Sequence, residues 1–269
     1  MHETERHRVI LAAVQSRSMA TVADLVDLTG TSEATIRRDI AALHVQGKLR
    51  RLRGGAEAIN PPSQPGLLGR PFSVNEGINM PLKRAIAKAA VALCEDGEPI
   101  IINGGTTTFQ MVYPLVSRRL QVFTNSFPIA EHLLHHSKNQ VMVPGGTIYR
   151  EQNVILSPFG SDVSGNFYAR KMFMGAQGVG PHGIMEADPL LIQAELKLIS
   201  QADEIIVLVD STKFRMRSSL ILCPLERIHT VVTDRGISDT DRQMLETAGV
   251  RLVVAEAGEE DNRNTQSVA

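Results

Sequence analysis

The apolar residues near the start of the chain recur at helical spacing. Segment 3–16 carries four apolar residues on one face of a predicted helix: Val9, Ile10, Ala13 and Val14. Segments 22–29 and 33–44 show the same periodicity, and they begin after Thr21 and Ser32, which are favourable N-cap residues. The pattern therefore predicts three short helices, of which the last two are closely spaced.

A tight turn at Gly30 separates the second and third predicted helices, and Asp24 completes a capping-box pattern with Thr21. The third helix has an apolar stripe that should pack on the other two: Ile36, Ile40 and Leu43. Its opposite face combines small and basic residues: Ala34, Thr35, Arg38 and Ala41, with Arg37 at the edge. This combination predicts the recognition helix of a helix-turn-helix.

A short basic hairpin is predicted directly after that helix, at residues 48–56. Leu49 and Leu52 are its expected inward positions, and basic residues lie between them. Segment 1–58 is therefore predicted to be a winged helix-turn-helix DNA-binding domain.

The composition changes twice beyond this domain. Residues 60–71 are rich in proline and glycine, so we predict a linker over 59–79. The polar segment 258–269 predicts a disordered tail.

Short apolar strands alternate with helices over residues 80–257. The expected strands lie at 99–102, 120–124, 140–143, near 172, and at 204–209, 229–233 and 251–254. This alternation predicts an α/β domain with a mainly parallel sheet covered on both faces.

The overall charge is nearly balanced, with a formal net charge of −1 over 269 residues. The positive charge is nevertheless local, because residues 37–53 hold six basic residues and one acid. Cys94 and Cys223 are the only cysteines and do not suggest a disulfide framework. We see no signal peptide and no apolar run long enough for a bilayer, so a cytoplasmic protein with no membrane partner is expected.

The basic helix and hairpin suggest a division of roles on double-stranded DNA. Thr35 and Arg38 are candidates for contacts with base edges. The expected phosphate ligands are Arg37, Lys48, Arg50, Arg51 and Arg53. Ser32, at the start of the helix, completes the predicted DNA-binding set. The alternative is a solvated basic face on a small helical domain.

Several polar or glycine-rich loops are expected at the carboxyl edge of the parallel sheet, where such sheets bind ligands. The first is an anion-binding turn after the strand at 99–102, with backbone N–H groups and hydroxyls as donors. The predicted effector-binding residues in these loops are Asn103, Gly104, Gly105, Thr106, Thr107, Thr124, Asn125, Gly145, Gly146 and Lys213. A glycine turn that serves only backbone geometry, and a surface lysine at position 213, remain as alternatives.

Three histidines lie on one predicted helix: His132, His135 and His136. The spacing of His132 and His136 is compatible with zinc, but no cysteine or glutamate is placed to complete a site. A solvated helix face is therefore favoured, and neither a metal nor a cofactor is predicted.

These motifs resemble the DeoR family of bacterial transcriptional regulators over nearly the whole chain. The resemblance is carried by segments 22–56, 103–107 and 210–213, with Glu195 as a further matching position. It implies a homo-oligomeric repressor, a dimer or tetramer, of a carbohydrate-utilisation operon. It also implies a sensor domain similar in fold to ribose-5-phosphate isomerase that binds a phosphorylated sugar or sugar acid, with Glu195 among the effector-binding residues. Segments 156–161 and 207–213 most resemble a subgroup that regulates L-ascorbate utilisation.

One departure from the isomerases bears on catalysis. Those enzymes place aspartates in the turn after the strand that matches residues 172–174, whereas this chain has Gln177 there. Glutamine cannot act as a general base, so a binding pocket is favoured over an active site and no enzyme activity is predicted. The alternatives are an isomerase-like enzyme with an added nucleic-acid-binding module, and an RNA-binding protein with a metabolite pocket.

Overall fold

The computed structural model describes residues 2–17, 19–58, 71–157 and 163–256. Most of the predicted linker (residues 59–70) and the predicted tail lie outside the described residues. The chain divides into two compact units, Met1–Arg70 and Pro71–Ala269.

The first unit has the predicted winged helix-turn-helix architecture. Its elements are α1 (Glu3–Arg17), β1 (Met19–Thr21), α2 (Val22–Thr29), α3 (Glu33–Val45), β2 (Arg50–Leu52) and β3 (Gly55–Glu57). The three strands form an antiparallel sheet in the order β1-β3-β2. The predicted hairpin is therefore extended by a third strand, β1, which the sequence pattern did not predict.

Local chemistry fixes the ends of the two central helices. The Thr21 hydroxyl accepts the Asp24 N–H at 3.1 Å, and the Asp24 carboxylate accepts the Thr21 N–H at 3.0 Å, which confirms the predicted capping box. Gly30 ends α2 in the left-handed conformation, with φ of 63°, and its N–H donates to the Val26 carbonyl. This conformation turns the chain from α2 into α3.

The core of the first unit joins all three helices to the wing. Its largest fully buried aliphatic residues are Ile10, Leu25, Ile36, Ile40, Leu43 and Leu49. Each such side chain stabilises the fold by about 1.5–3 kcal/mol relative to an exposed one. The apolar stripe predicted for α3 thus faces this core, and the opposite face of α3 points outward.

Asp39 is a buried acid on α3 that pairs with two bases of α1. Its carboxylate accepts hydrogen bonds from the Arg6 guanidinium, one of them at 3.1 Å, and lies 3.2 Å from Nε2 of His7. Burial alone would raise the pKa of Asp39, but the hydrogen bonds and charges of Arg6 and His7 outweigh it and lower the pKa. The ion pair therefore fixes the recognition helix against α1.

The second unit alternates strands and helices. Its helices are α4 (Phe72–Glu76), α5 (Met80–Val91), α6 (Thr106–Phe109), α7 (Val112–Leu115), α8 (Phe127–His136), α9 (Pro189–Ile199) and α10 (Asp239–Thr247). Its strands are β4 (Pro99–Ile102), β5 (Gln121–Thr124), β6 (Gln140–Met142), β7 (Thr147–Tyr149), β8 (Val154–Leu156), β9 (Ala169–Met174), β10 (Gly178–Gly180), β11 (Gly183–Glu186), β12 (Ala202–Leu208), β13 (Leu220–Cys223), β14 (Thr230–Asp234) and β15 (Arg251–Ala255). Short 3-10 helices lie at Val163–Asn166, Ser211–Arg215 and Leu225–Arg227.

Seven of these strands form one parallel sheet in the order β15-β14-β12-β9-β4-β5-β6. Every neighbouring pair in it is parallel. Two buried apolar clusters fill its two faces, one around Met172 and Val207 and the other around Ile86 and Val122. The predicted parallel α/β architecture is confirmed, and the carboxyl ends of all seven strands lie at one edge.

Two smaller β structures were not predicted from the sequence. β10, β11 and β13 form an antiparallel sheet, and β7 and β8 form a hairpin. The hairpin pairs with the segment after β5, because the Ile155 N–H donates to the Asn125 carbonyl at 2.7 Å and the Phe127 N–H donates to the Asn153 carbonyl at 3.0 Å. These strands have only three or four residues each, which is too short for a periodic signal, and β11 pairs with the distant β13.

One predicted boundary differs from the structure. The predicted linker reached residue 79, but α4 lies within it, because the Phe72 ring packs edge-on against Phe109 at a centroid distance of 5.9 Å. Between β4 and β5 the chain forms two short helices, α6 and α7. Among the described residues, no helix combines the length and apolar character needed to span a bilayer.

The Asp39 contact yields a test of the first unit. Asp39→Asn removes the charge that pairs with Arg6 and His7, so we expect the head to lose stability. In the native protein, the lowered pKa of Asp39 contributes to the stability of the head. This contribution is complete at pH values above the ordinary carboxyl pKa, and it is lost as the pH falls through the lower pKa of the folded state. Hydrogen exchange of α1 and α3 peptides measures both effects. The exposed Asp27→Asn is the control, and equal exchange in the two variants would contradict the assignment.

Candidate functional site

The first candidate site is the outward face of α3. The Ser32 hydroxyl accepts the Thr35 N–H at 3.4 Å, and the Ser32 and Thr35 hydroxyls lie 3.0 Å apart, so both side chains are fixed at the start of the helix. Arg37 is exposed and pairs with Glu33 at 3.0 Å. Arg38 is exposed and has no ion pair among the residues that the structure describes.

The wing places further cations beside this helix. Lys48, Arg50, Arg51 and Arg53 are all exposed, and Arg50 lies 3.8 Å from Glu57 on the neighbouring strand. His44 connects the end of α3 to the wing, because its Nδ1 accepts the Arg51 N–H at 3.4 Å. The wing also requires glycine at position 55, since a Cβ atom there would lie 2.3 Å from the Ala20 carbonyl oxygen.

A cleft of about 520 Å³ separates the helix from the wing. Its lining includes the side chains of Arg37, His44, Arg51 and Arg53. The structure thus brings the predicted basic residues of the helix and the wing together on one surface. A surface of exposed guanidinium groups around a cleft is suited to a polyanion.

The second candidate site lies at the carboxyl edge of the parallel sheet. The segments that follow β4, β5, β9 and β12 converge there because the four strands are adjacent and parallel. They supply Asn103, Asn125, Gln177 and Lys213, respectively. Three of these segments, after β4, β5 and β12, were among the predicted polar loops, and β9 adds the turn that carries Gln177.

The turn after β4 is held by its own hydrogen bonds. The Gly104 N–H donates to the Asn125 side-chain oxygen at 2.8 Å, and the Thr108 hydroxyl donates to the Asn103 carbonyl at 2.8 Å. A Cβ atom on Gly104 would lie 2.5 Å from a methyl carbon of Val154 on the hairpin. Gly104 and Asn125 thus shape the turn, and the backbone after them leads through Gly105 into α6.

Lys83 is a site residue that sequence analysis missed. It is only 2% exposed, and its ammonium group donates to the Thr106 hydroxyl at 2.9 Å and to the Asn75 carbonyl. Burial lowers the pKa of Lys83 to about 8, and the nearby Asp210 opposes this shift. The available signal was its position on the apolar face of α5, at helical spacing from the buried Ile86 and Ala90.

A second lysine lies at the same edge. The Lys213 ammonium group donates to the Gln177 side-chain oxygen at 3.3 Å. Asp210 caps the 3-10 helix that carries Lys213, and it also accepts the Asn79 side-chain amide at 3.3 Å. The two lysines are close enough for the charge of Lys213 to lower the pKa of Lys83 further.

The Asn103 side chain connects the turn to a buried acid. Its amide donates to Glu195 on α9 at 2.6 Å. Burial, reinforced by the neighbouring Glu186, raises the pKa of Glu195 well above its ordinary value. Glu186 and Asp188 are also buried and were not predicted as site residues. Glu186 ends β11 and Asp188 caps α9, and the place of β11 in the fold depends on the unpredicted antiparallel sheet.

Three predicted effector residues lie apart from this arrangement or serve the fold. Thr124 is fully buried, and its hydroxyl both donates to the Ile102 carbonyl and accepts the Ser126 N–H. Gly145 and Gly146 are exposed at the start of the hairpin. At Gly146, a Cβ atom would lie 2.2 Å from the Leu156 carbonyl oxygen, which is a structural reason for glycine there.

The remaining candidate side chains are explained by packing. Cys94 and Cys223 are buried free thiols, and burial raises their pKa to about 12 and about 11. The His132 and His136 rings stack at a centroid distance of 4.4 Å. Within the described residues, no group of three or more histidine, cysteine or acidic side chains is arranged to hold a metal ion.

Comparison with known proteins identifies the family of both units. Residues 6–61 match the DeoR-like helix-turn-helix domain, and residues 78–235 match the DeoR C-terminal sensor domain. The chain belongs to the DeoR family. It is a DNA-binding transcriptional regulator whose head carries the α3 surface and whose sensor domain carries the sheet-edge site. The family prediction from the sequence is confirmed.

Curated relatives extend the match to almost the full chain. The chain is 34% identical over 254 residues to the HTH-type transcriptional regulator UlaR of Shigella dysenteriae serotype 1 (strain Sd197), which covers 94% of this chain and 99% of the relative. The same identity and coverage hold for UlaR of Escherichia coli (strain K12 / DH10B). The subgroup resemblance to L-ascorbate regulators stays a prediction.

Solved structures show more distant likenesses. Ribose-5-phosphate isomerase A of Methanocaldococcus jannaschii matches with a TM-score of 0.38 and 19% identity, over 50% of this chain and 54% of that chain. The eIF2B beta subunit of Chaetomium thermophilum matches with a TM-score of 0.40 and 15% identity, over 59% of this chain and 49% of that chain. Each match thus spans about half of the solved chain, and the scores are too low to support a functional inference.

The close approach of Gly104 to Val154 yields a test of the turn geometry. Gly104→Ala forces the hairpin away from the turn, so we expect the sensor domain to lose about 1–3 kcal/mol of stability. Gly165→Ala, where a Cβ atom meets nothing within 4 Å, is the matched control and should change stability by less than about 0.5 kcal/mol. Urea unfolding measures both variants, and equal stability would show that the hairpin accommodates the methyl group.

Proposed function

We propose that this regulator is a repressor of a carbohydrate-utilisation operon and that a phosphorylated sugar or sugar acid controls its grip on DNA. The observation that carries the proposal is the pairing of two units in one DeoR-family chain: a head with a basic helix-and-wing surface, and a sensor with two lysines at the carboxyl edge of a parallel sheet. Such an edge is the usual ligand position in open α/β sheets.

In the head, Thr35 and Arg38 are the proposed base contacts. They lie on the outward face of α3, and the Arg38 guanidinium is exposed and available for a bidentate bond to guanine. Ser32 and Arg37 are tied to neighbouring side chains at the start of the helix, and a phosphate would compete for the Arg37 guanidinium. The wing residues Lys48, Arg50, Arg51 and Arg53 are the proposed phosphate ligands.

In the sensor, the proposed phosphate ligands are the backbone from Gly105 to Thr107 and the ammonium groups of Lys83 and Lys213. Lys83 is held against the Thr106 hydroxyl, so a cation already lies at the start of α6. Its pKa of about 8 leaves it mainly charged at neutral pH. Gly104 and Asn125 act on the phosphate indirectly, because they bind each other and fix the turn.

The sugar portion of the effector would lie against Asn103, Glu195 and Gln177. These groups offer hydrogen-bond donors and acceptors suited to hydroxyls. In this proposal Thr124 stabilises the strand end, and Gly145 and Gly146 shape the neighbouring hairpin.

We propose binding without turnover at this site. Gln177 contacts Lys213 where an acid would be needed for proton transfer, and the curated relatives are named transcriptional regulators. One observation favours the competing isomerase-like function: the buried Glu195 has a raised pKa, which is typical of general acids and bases. Incubation with aldose and ketose phosphates, followed by chromatography of the products, separates the two functions, and substantial isomerisation would establish the enzyme.

Control of the operon requires the sensor to act on DNA binding. We propose that the protein binds a palindromic operator as a homodimer or homotetramer, because each chain carries one recognition helix. In this proposal the DNA-binding heads can adopt two arrangements relative to the operator. The effector favours one arrangement only to the extent that the protein binds it more tightly in that arrangement than in the other. Mobility-shift titration of promoter fragments near its own locus, with and without sugar phosphates, tests the whole proposal.

Arg38→Ala tests the base contact. We expect specific binding to weaken by about 1–3 kcal/mol, because one bidentate contact is lost. Affinity is measured by mobility shift on a promoter fragment and on a random duplex. Arg119→Ala, an exposed arginine of the sensor unit, is the charge-matched control. An equal loss on both DNAs would reassign Arg38 to a phosphate contact.

Gly105→Val tests the anion turn. A Cβ atom there lies 3.1 Å from the Thr108 hydroxyl, so the added side chain crowds the turn without a forbidden backbone angle. We expect the metabolite response to be abolished while DNA affinity is retained. Mobility shift with and without the effector, and with Gly165→Val as the control, measures both properties. Loss of both together would show that Gly105 serves only the fold.

A further inference from the structure

His44 lies where the recognition helix meets the wing, and the DNA contacts proposed above do not include it. It belongs to the last turn of α3 and is exposed. It lines the cleft of about 520 Å³ between α3 and the wing, together with Arg37, Arg51 and Arg53. The other described lining residues are apolar side chains and glycines: Val22, Ile40, Leu52, Gly54 and Gly55. The cleft thus presents four basic side chains and no acid among its described lining residues.

The remaining charged groups of the elements that form this cleft are not part of its lining. They are Asp24 and Asp27 on α2, Glu33, Arg38 and Asp39 on α3, Arg50 on β2 and Glu57 on β3. Three of these acids are paired with arginines, since Glu33 contacts Arg37, Asp39 contacts Arg6 and Glu57 contacts Arg50. A cleft whose charged lining groups are all basic attracts an anion and disfavours further positive charge until the anion is bound.

The main chain of the wing holds one nitrogen of the His44 ring. Nδ1 lies 3.4 Å from the main-chain nitrogen of Arg51 and 3.3 Å from the carbonyl oxygen of Leu49. An unprotonated Nδ1 accepts the Arg51 N–H, whereas a protonated Nδ1 donates to the Leu49 carbonyl. Nδ1 therefore has a main-chain partner whether or not the ring carries the additional proton, and the ring keeps its place in both states.

The other ring nitrogen is left for a ligand. Both hydrogen bonds of His44 within the described residues involve Nδ1, and neither involves Nε2. In the protonated ring, Nε2–H is a charged donor, and charge-assisted hydrogen bonds to phosphate are about twice as strong as neutral ones. The position of His44 in the last turn of α3 also favours a cation, because the C-terminal end of a helix carries partial negative charge.

We propose that Nε2 of His44 donates to a backbone phosphate of DNA in the cleft between helix and wing, and that the protein takes up a proton there when it binds DNA. The phosphate charge offsets the repulsion from Arg37, Arg51 and Arg53, so the complex favours the protonated ring. Histidine ordinarily changes its charge between about pH 5 and 8, whereas arginine stays charged. His44 is therefore the contact that makes DNA affinity rise as the pH falls.

The pH dependence of binding to a random DNA duplex tests this proposal. A phosphate contact is independent of sequence, so the test does not require the operator. Fluorescence anisotropy on the full chain measures affinity at constant ionic strength. We expect the protein to bind at least about threefold more tightly at about pH 6 than at about pH 8, because uptake of one proton changes affinity by up to about tenfold per pH unit.

Three variants assign the effect to His44. His44→Gln removes the titrating group, so we expect it to bind within about twofold of the native protein at about pH 8 and to lose most of the gain at lower pH. His44→Lys carries a permanent charge, so we expect its affinity to be high and nearly constant over this range. His182→Gln, an exposed histidine of the sensor unit, is the matched control and should keep the native pH dependence. Circular dichroism melting verifies that the variants fold.

Calorimetry in buffers of different ionisation enthalpy measures the proton directly. We expect net proton uptake when the native protein binds the duplex, and much less uptake with His44→Gln. A native affinity that does not change with pH overturns the proposal. An unchanged pH dependence in His44→Gln would place the proton elsewhere, for example on His7, which contacts Asp39. An equal loss of affinity at every pH in that variant would show that His44 only joins α3 to the wing.

Discussion

The parallel orientation of seven strands is the constraint on which the sensor site depends. In an antiparallel sheet, successive loops would alternate between the two edges, whereas here the segments after β4, β5, β9 and β12 all emerge at one edge. Asn103, Asn125, Gln177 and Lys213 follow these four strands and therefore lie at the same edge. Each belongs to a different segment of the chain, and none would be near the others without the sheet.

Buried charge has a structural role in both units. In the head, Asp39 is compensated by Arg6 and His7, which join the recognition helix to α1. In the sensor, Lys83 is buried against a threonine hydroxyl and a backbone carbonyl, and a group of acids remains only partly compensated. The charge of Asp39 is thus compensated within the head, whereas buried polar atoms of the sensor lack a partner among the described residues.

Local sequence patterns predicted elements that depend on neighbouring residues. The capping box at Thr21, the turn at Gly30 and the face separation of α3 follow from spacings of a few residues, and the structure shows each of them. The central strands were predicted because continuous apolar runs mark strands buried on both faces. The predicted linker was too long at its end, because α4 is stabilised by Phe72 packing on the distant Phe109.

By itself, the sequence determined the family, the two-unit organisation of a head and an α/β sensor, and the basic helix and wing, since these follow from local periodicity, glycine placement and charge. Only the tertiary structure decided which polar groups share a site. Lys83 left only the signal of a lysine on an apolar helix face, and Glu186 and Asp188 left none, because a buried charge is recognised only by the partners that surround it. Those partners come from segments far apart in the chain, and sheet pairing, rather than sequence spacing, brings them together.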